Sequence, residues 1–194
     1  MLTVATFADV FCGGGGASQG AIAAGLQPLW AIEIDPRPAS VYRRRFPDAQ
    51  LIEADIRTLS DEYLYSLPTP DIVIGGSPCQ GLSTAGKRLG LADDRSRLFF
   101  EYLRILKIKK PLGFIFENVA GLLSSNERRD IEAIICSFAE LGYVGFWQCR
   151  NGNRWVPQNR KRVFILGIDR QYTVQSNCPK PEDIARVLGT TIGS

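Results

Sequence analysis

Pro78-Cys79-Gln80 puts a thiol directly after the apolar run Ile72-Val73-Ile74-Gly75-Gly76, where a strand should end in a tight turn. A cysteine displayed at such an edge is a candidate nucleophile, because its thiolate attacks electron-poor carbon. Free cysteines are also common small core residues, so Cys79 gains weight only from its company. A second apolar run, Phe114-Ile115-Phe116, ends in Glu117-Asn118-Val119. Two strand ends would then bring a thiol and a carboxyl to one edge of a sheet, the arrangement by which α/β enzymes assemble their sites. A carboxylate there can equally cap the following helix. The chain has no histidine, which excludes Ser-His and Cys-His catalysis within it; another group must assist the thiol.

Gly13-Gly14-Gly15-Gly16 provide a second centre of chemistry. They stand between an apolar run over 4–11 and a helix-compatible stretch over 17–25, where backbone without side chains lets a ligand approach closely. The dinucleotide pattern G-x-G-x-x-G is not met, since Ser18 and Gln19 occupy the positions of its last glycine. Glu33, about twenty residues on, is placed to accept hydrogen bonds from ribose hydroxyls. Asp55, after a short third strand, is placed to accept from an exocyclic amine. A nucleoside without phosphate suits these acids better than a dinucleotide, and S-adenosylmethionine answers that description. A plain glycine turn with two surface acids is the alternative.

The elements that must position these groups alternate. Apolar runs predict strands over 4–11, 29–34, 51–52, 71–74, 112–117, 143–149 and 163–168. Helical spacing falls over 17–25, 39–46, 98–106 and 127–141. Residues 81–94 are glycine-rich and aperiodic, as binding loops are. The pattern calls for an α/β fold, a mostly parallel seven-stranded sheet with helices on both faces and right-handed crossovers. One domain is expected over 1–168, with a polar tail over 169–194 that could dock a partner and has a helix-like piece at 184–188.

With 194 residues, 45% hydrophobic and 22% charged, the chain suits one globular domain. No stretch nears the roughly 20 apolar residues of a membrane span, and the N-terminus lacks a basic secretory start. A cytoplasmic protein without membrane association is therefore expected. The five cysteines include no C-x-x-C pair, which predicts reduced thiols and no metal site. Net charge is only +3, but cations cluster at Arg43-Arg44-Arg45, at Lys107 with Lys109-Lys110, and at Arg160-Lys161-Arg162. Such clusters are solvated faces as readily as phosphate sites.

Five segments in this order resemble the DNA cytosine-5 methyltransferases over residues 6–167. They are Asp9-Val10-Phe11-Cys12-Gly13-Gly14-Gly15-Gly16, Glu33-Ile34-Asp35, Pro78-Cys79-Gln80, Glu117-Asn118-Val119 and Gln158-Asn159-Arg160-Lys161-Arg162. The resemblance implies a Rossmann-like S-adenosylmethionine-dependent fold in which Cys79 adds to C6 of a cytosine flipped out of double-stranded DNA. Glu117 would hold and protonate N3, Arg162 would orient the base at its carbonyl, and Arg160 would serve the active-site loop or a phosphate. For the cofactor, Phe11 would stack on adenine, Gly13 and Gly15 line the methionine part, Glu33 with Ile34 bind the ribose, and Asp55 with Ile56 meet the adenine. Pro78 and Leu98 would complete that pocket.

The family's chains continue past the arginine motif into a target-recognition domain, a further motif and a terminal helix. The residues after Gly167 are fewer than the roughly 50 a small domain requires. The resemblance thus points to a second protein chain for target recognition, in the manner of a split restriction-modification enzyme. A degenerate, non-catalytic methyltransferase-fold subunit and an enzyme acting on RNA are the alternatives.

Overall fold

The computed structural model describes residues 4–77, 94–154 and 157–175. Its strands are β1 (Thr6–Val10), β2 (Gln27–Glu33), β3 (Gln50–Glu53), β4 (Ile72–Gly75), β5 (Gly113–Val119), β6 (Tyr143–Asn151) and β7 (Lys161–Asp169). They form one sheet in the order β3-β2-β1-β4-β5-β7-β6. The neighbouring strands from β3 to β5 run parallel, and β7 lies antiparallel to both β5 and β6. The expected α/β architecture is present.

The helices are α1 (Gly16–Ala23), α2 (Pro36–Arg45), α3 (Asp61–Ser66), α4 (Asp94–Lys109), α5 (Arg129–Glu140) and α6 (Arg170–Gln175). Helix α2 starts at Pro36, ahead of the expected 39, because the Asp35 side chain accepts from the Arg37 N–H and Pro36 stands where a missing N–H costs nothing. Helix α3 was not foreseen: it is held by a Ser60 cap on Tyr63 N–H and buries only Leu64, too short a run to register as periodicity. The Pro78-Cys79-Gln80 segment, residues 81–93 of the loop expected over 81–94, and the helix expected at 184–188 lie outside the described residues; Asp94, expected in that loop, opens α4 instead.

One face of the sheet carries the main core. Ala8, Val10, Trp30, Ile32, Val73, Phe114, Phe116, Val163 and Ile165 pack under α4 and α5, with Leu64 of α3 at the margin. Each such aliphatic or phenyl side chain contributes about 1.5–3 kcal/mol by leaving water. Six of the rings, Phe99, Tyr102, Phe114, Phe116, Phe138 and Tyr143, form one contiguous aromatic stack, mostly in tilted or edge contact. The Tyr102 hydroxyl lies 3.2 Å from both the Val73 and Ile115 carbonyls, tying α4 to β4 and β5.

On the opposite face, α1 covers Phe7 and Ile74, and α2 covers Ala31 with Tyr42 and Phe46. Beyond α1 a cleft of about 740 Å3 runs across the sheet from the end of β1 to β7. Among the described residues, no helix is long and apolar enough to cross a membrane.

Candidate active site

The glycine turn joins β1 to α1 through backbone that side chains resist. Phe11 has φ 63°, Gly13 φ 54° and Gly15 φ 85°. A bulky residue in the left-handed region costs on the order of 1–3 kcal/mol and persists only where its surroundings demand it. Gly15 caps α1, and a Cβ there would sit 2.1 Å from the Phe46 ring, so this position excludes any side chain twice over.

Glu33, at the end of β2, braces the turn. Its Oε2 accepts from Gly13 N–H and its Oε1 from Asp35 N–H, each at 2.8 Å. Each oxygen keeps a lone pair for a further donor such as a ribose hydroxyl. The bracing role was not legible in the sequence, because nothing in residue type pairs an acid with a particular amide. Ile34, beside it, is exposed.

Asp55 caps the short 3-10 turn Ile56–Thr58 and is gripped by Arg57 through Nε and Nη2 at 3.0 and 2.6 Å. The Arg57 guanidinium holds its carboxyl below the usual carboxylate range. Any further donor brought to Asp55 must therefore share it with Arg57. Ile56 is buried in the main core, and Phe11 and Leu98 pack against the same cluster.

A buried polar chain lies behind the turn and was also missed. Tyr42 OH and Ser18 Oγ are 2.9 Å apart, and Ser18 Oγ donates to Asp9 Oδ2 at 2.6 Å. All three residues are almost wholly excluded from water. Burial pushes the Asp9 carboxyl up to about 7, opposed by its Ser18 hydrogen bonds and reinforced by the Glu33 charge. Burial likewise pushes the Cys12 thiol up, so Cys12 stays protonated beside the turn.

For a carboxyl raised from 3.8 to about 7, the folded state binds the extra proton between those values. Stability must then fall as pH rises through that window and level off above it, by at most about 4 kcal/mol. Urea unfolding of Asp9→Asn from pH 4.5 to 8 is expected to show this slope removed; an unchanged slope would assign it to other groups.

The second half of the site is at the end of β5. Arg162 of β7 pairs through Nε with Glu117 Oε1 at 2.7 Å, both side chains partly shielded from water. The antiparallel register makes this possible: Val119 faces Arg162 and Glu117 faces Phe164, so residues 117 and 162 are diagonal neighbours. Just past β4, Gly76 lies so close that a Cβ would fall 2.5 Å from Glu117 O and 3.0 Å from its Oε2. Asn118 Nδ2 donates to Ser77 O at 3.4 Å, fixing the chain immediately before Pro78. Pro78 and Cys79 themselves lie outside the described residues.

The cleft joins the two halves. Its walls include Asp9, Phe11 and Cys12 from the glycine turn and Glu117 and Arg160 from the β5–β7 side. Arg160 is exposed, and its N–H is held by Asn151 Oδ1 at 3.1 Å. Gly13, Gly15, Glu33, Ile34, Asp55, Ile56, Leu98 and Arg162 are not among the lining residues of this cleft; Glu33, Ile34, Asp55, Ile56 and Leu98 continue the same sheet edge toward β2, β3 and α4. The acids and bare backbone at that edge suit a polar, phosphate-free nucleoside, with acceptors for hydroxyls at Glu33 and an apolar wall at Phe11.

The family model for C-5 cytosine-specific DNA methylase matches residues 5–191. Among curated relatives, the type II methyltransferase M1.HphI of Haemophilus parahaemolyticus is 40% identical over 168 residues, covering 84% of this chain and 45% of the relative. M.Sau96I of Staphylococcus aureus is 37% identical over 181 residues, covering 92% and 42%. The chain thus spans less than half the length of these relatives. Among solved structures, a prophage-encoded protein of E. coli described as a DNA modification methyltransferase superposes with a TM-score of 0.72 at 25% identity, over 87% of this chain and 48% of the other. The S. pombe Dnmt2 methyltransferase, at 20% identity and a TM-score of 0.67 over 87% and 50%, shares the fold. The chain belongs to the C-5 cytosine-specific DNA methylase family.

Proposed function

We propose that this chain carries the catalytic framework of a DNA cytosine-5 methyltransferase that uses S-adenosylmethionine, the family's cofactor. The observation that bears most weight is Glu117, ion-paired with Arg162, standing across one cleft from the glycine turn.

A flipped cytosine would meet Glu117 at N3 and the Arg162 guanidinium at its carbonyl oxygen. The Cys79 thiolate adds to C6, forming the S–C bond while the ring electrons move toward C5 and Glu117 delivers a proton to N3. When bound, S-adenosylmethionine supplies an electrophilic methyl group for C5. Loss of the C5 proton to a base then lets the Cys79 sulfur leave as thiolate while N3 returns its proton to Glu117, restoring the neutral aromatic ring. Arg160 serves the active-site loop or a phosphate. Phe11 stacks on adenine, Gly13 and Gly15 line the methionine part, Glu33 with Ile34 takes the ribose, Asp55 with Ile56 takes the adenine edge, and Pro78 and Leu98 close the pocket.

The reading takes double-stranded DNA as the substrate and a second protein chain as the source of target recognition. Incubation with S-adenosylmethionine and a duplex containing 5-fluorocytosine tests the chemistry. A covalent complex stable to denaturation is expected, because fluorine at C5 cannot leave as the proton does. No complex, with or without relatives' recognition regions supplied in trans, would favour a non-catalytic subunit.

A further inference from the structure

Arg104 stands apart from every motif described above, yet its guanidinium is bonded to four acceptors on three elements of the fold. It projects from α4, makes four hydrogen bonds with its five N–H donors and forms an ion pair with Glu101 besides. Nη2 donates to Ile56 O at 2.8 Å, and Nη1 donates to Leu59 O at 3.0 Å and to Asp61 Oδ1 at 2.7 Å. Glu101, one turn earlier on the same helix, takes Nε at 2.7 Å and Nη2 at 2.6 Å. Two of these acceptors are main-chain carbonyls that bracket the 3-10 turn Ile56–Thr58, whose cap is Asp55.

One side chain therefore fastens the Asp55–Ile56 turn to the helix that carries Leu98. The pattern is more specific than a surface ion pair. A lysine at this position could satisfy at most three of the four acceptors, and only the planar fork reaches both carbonyls together with two carboxylates. Asp55 itself is held by the exposed Arg57 and by the Arg57 N–H, so beside the burial of Ile56 in the core it is Arg104 that ties the turn to α4 through polar contacts.

We propose that Arg104 is a positioning residue for the adenosyl end of the cofactor pocket, setting the distance between the Asp55–Ile56 turn and Leu98. This rests on the cofactor reading given above. Freed from Arg104, the turn can shift relative to α4, and an adenine held between them loses one wall or the other.

S-adenosylhomocysteine, an unreactive probe, serves for titration calorimetry on the whole 194-residue chain, with adenosine as a second probe lacking the amino-acid end. Arg104→Gln and Arg104→Lys are expected to weaken both probes by about tenfold or more, the loss expected from unpinning a charge-assisted contact. Lys109→Met is the control: it lies on the same helix and holds the Tyr65 and Leu67 carbonyls instead. It should lower the melting temperature yet leave affinity within about twofold. Asp61→Asn removes a single partner and gives a milder variant should Arg104→Gln fail to fold; its affinity should fall in the same direction. Arg104 variants that bind as the unsubstituted chain does, or a Lys109→Met loss as large as theirs, would overturn the assignment. Absence of binding by the unsubstituted chain would instead overturn the cofactor reading, and this inference with it.

Discussion

Glu117→Gln is expected to slow methyl transfer to cytosine by about a thousandfold while S-adenosylhomocysteine affinity stays within about twofold. Proton delivery by a positioned acid contributes roughly 10²–10⁴ in rate, and an amide of the same shape cannot give up a proton. The substitution also removes the negative partner from Arg162, which now meets Glu117 Oε1 at 2.7 Å. That guanidinium would be left to compete for other acceptors, Lys161 O being one it already uses at 2.8 Å. Glu117 lies on the β5–β7 wall of the cleft and is not among the hydrogen-bond partners of Glu33 or the glycine backbone, so the cofactor edge should be indifferent. Single-turnover rates with any recognition partner present, beside calorimetric titration of the probe, separate the two effects. A rate within tenfold of the unsubstituted chain would move the proton transfer to another group.

Gly76→Ala is expected to abolish most activity, by a hundredfold or more, at a stability cost of about 1–3 kcal/mol. The added methyl would stand 2.5 Å from the Glu117 carbonyl oxygen and 3.0 Å from its carboxylate. The nearer atom is backbone in a strand paired on both sides, with β4 and with β7, so it cannot swing aside as a flexible side chain would. Relief must come from the β4 end, which carries Ser77 and leads to Pro78 and Cys79. The same displacement strains the Asn118–Ser77 hydrogen bond. Denaturant unfolding and transfer rate are to be measured on one preparation. Near-normal rate with an intact fold would show that the ends of β4 and β5 need no such close approach.

The architecture was legible because the signals that encode it are periodic and local. Apolar runs marked all seven strands, and the interior face of α5, with Ile131, Ile134 and Phe138, was visible as a stripe. The glycine turn was legible because only glycine tolerates Gly15's φ and Phe46's contact. What escaped were contacts between residues distant in sequence. Asp9, Ser18 and Tyr42 come from three elements, and Arg104 reaches the Ile56 carbonyl 48 positions away. Residue type alone does not announce such meetings. Helix α3 escaped for a different reason, a single buried leucine in six residues.

Glu33 has a consequence for any redesign of cofactor preference. The carboxylate that would greet the sugar is simultaneously a clasp between Gly13 and Asp35. An engineer who exchanges it to admit a different nucleoside also unfastens the bend on which that nucleoside must rest. Selectivity and scaffold are welded at this one side chain, and a library varying position 33 alone would be dominated by loosened turns before any new preference emerged.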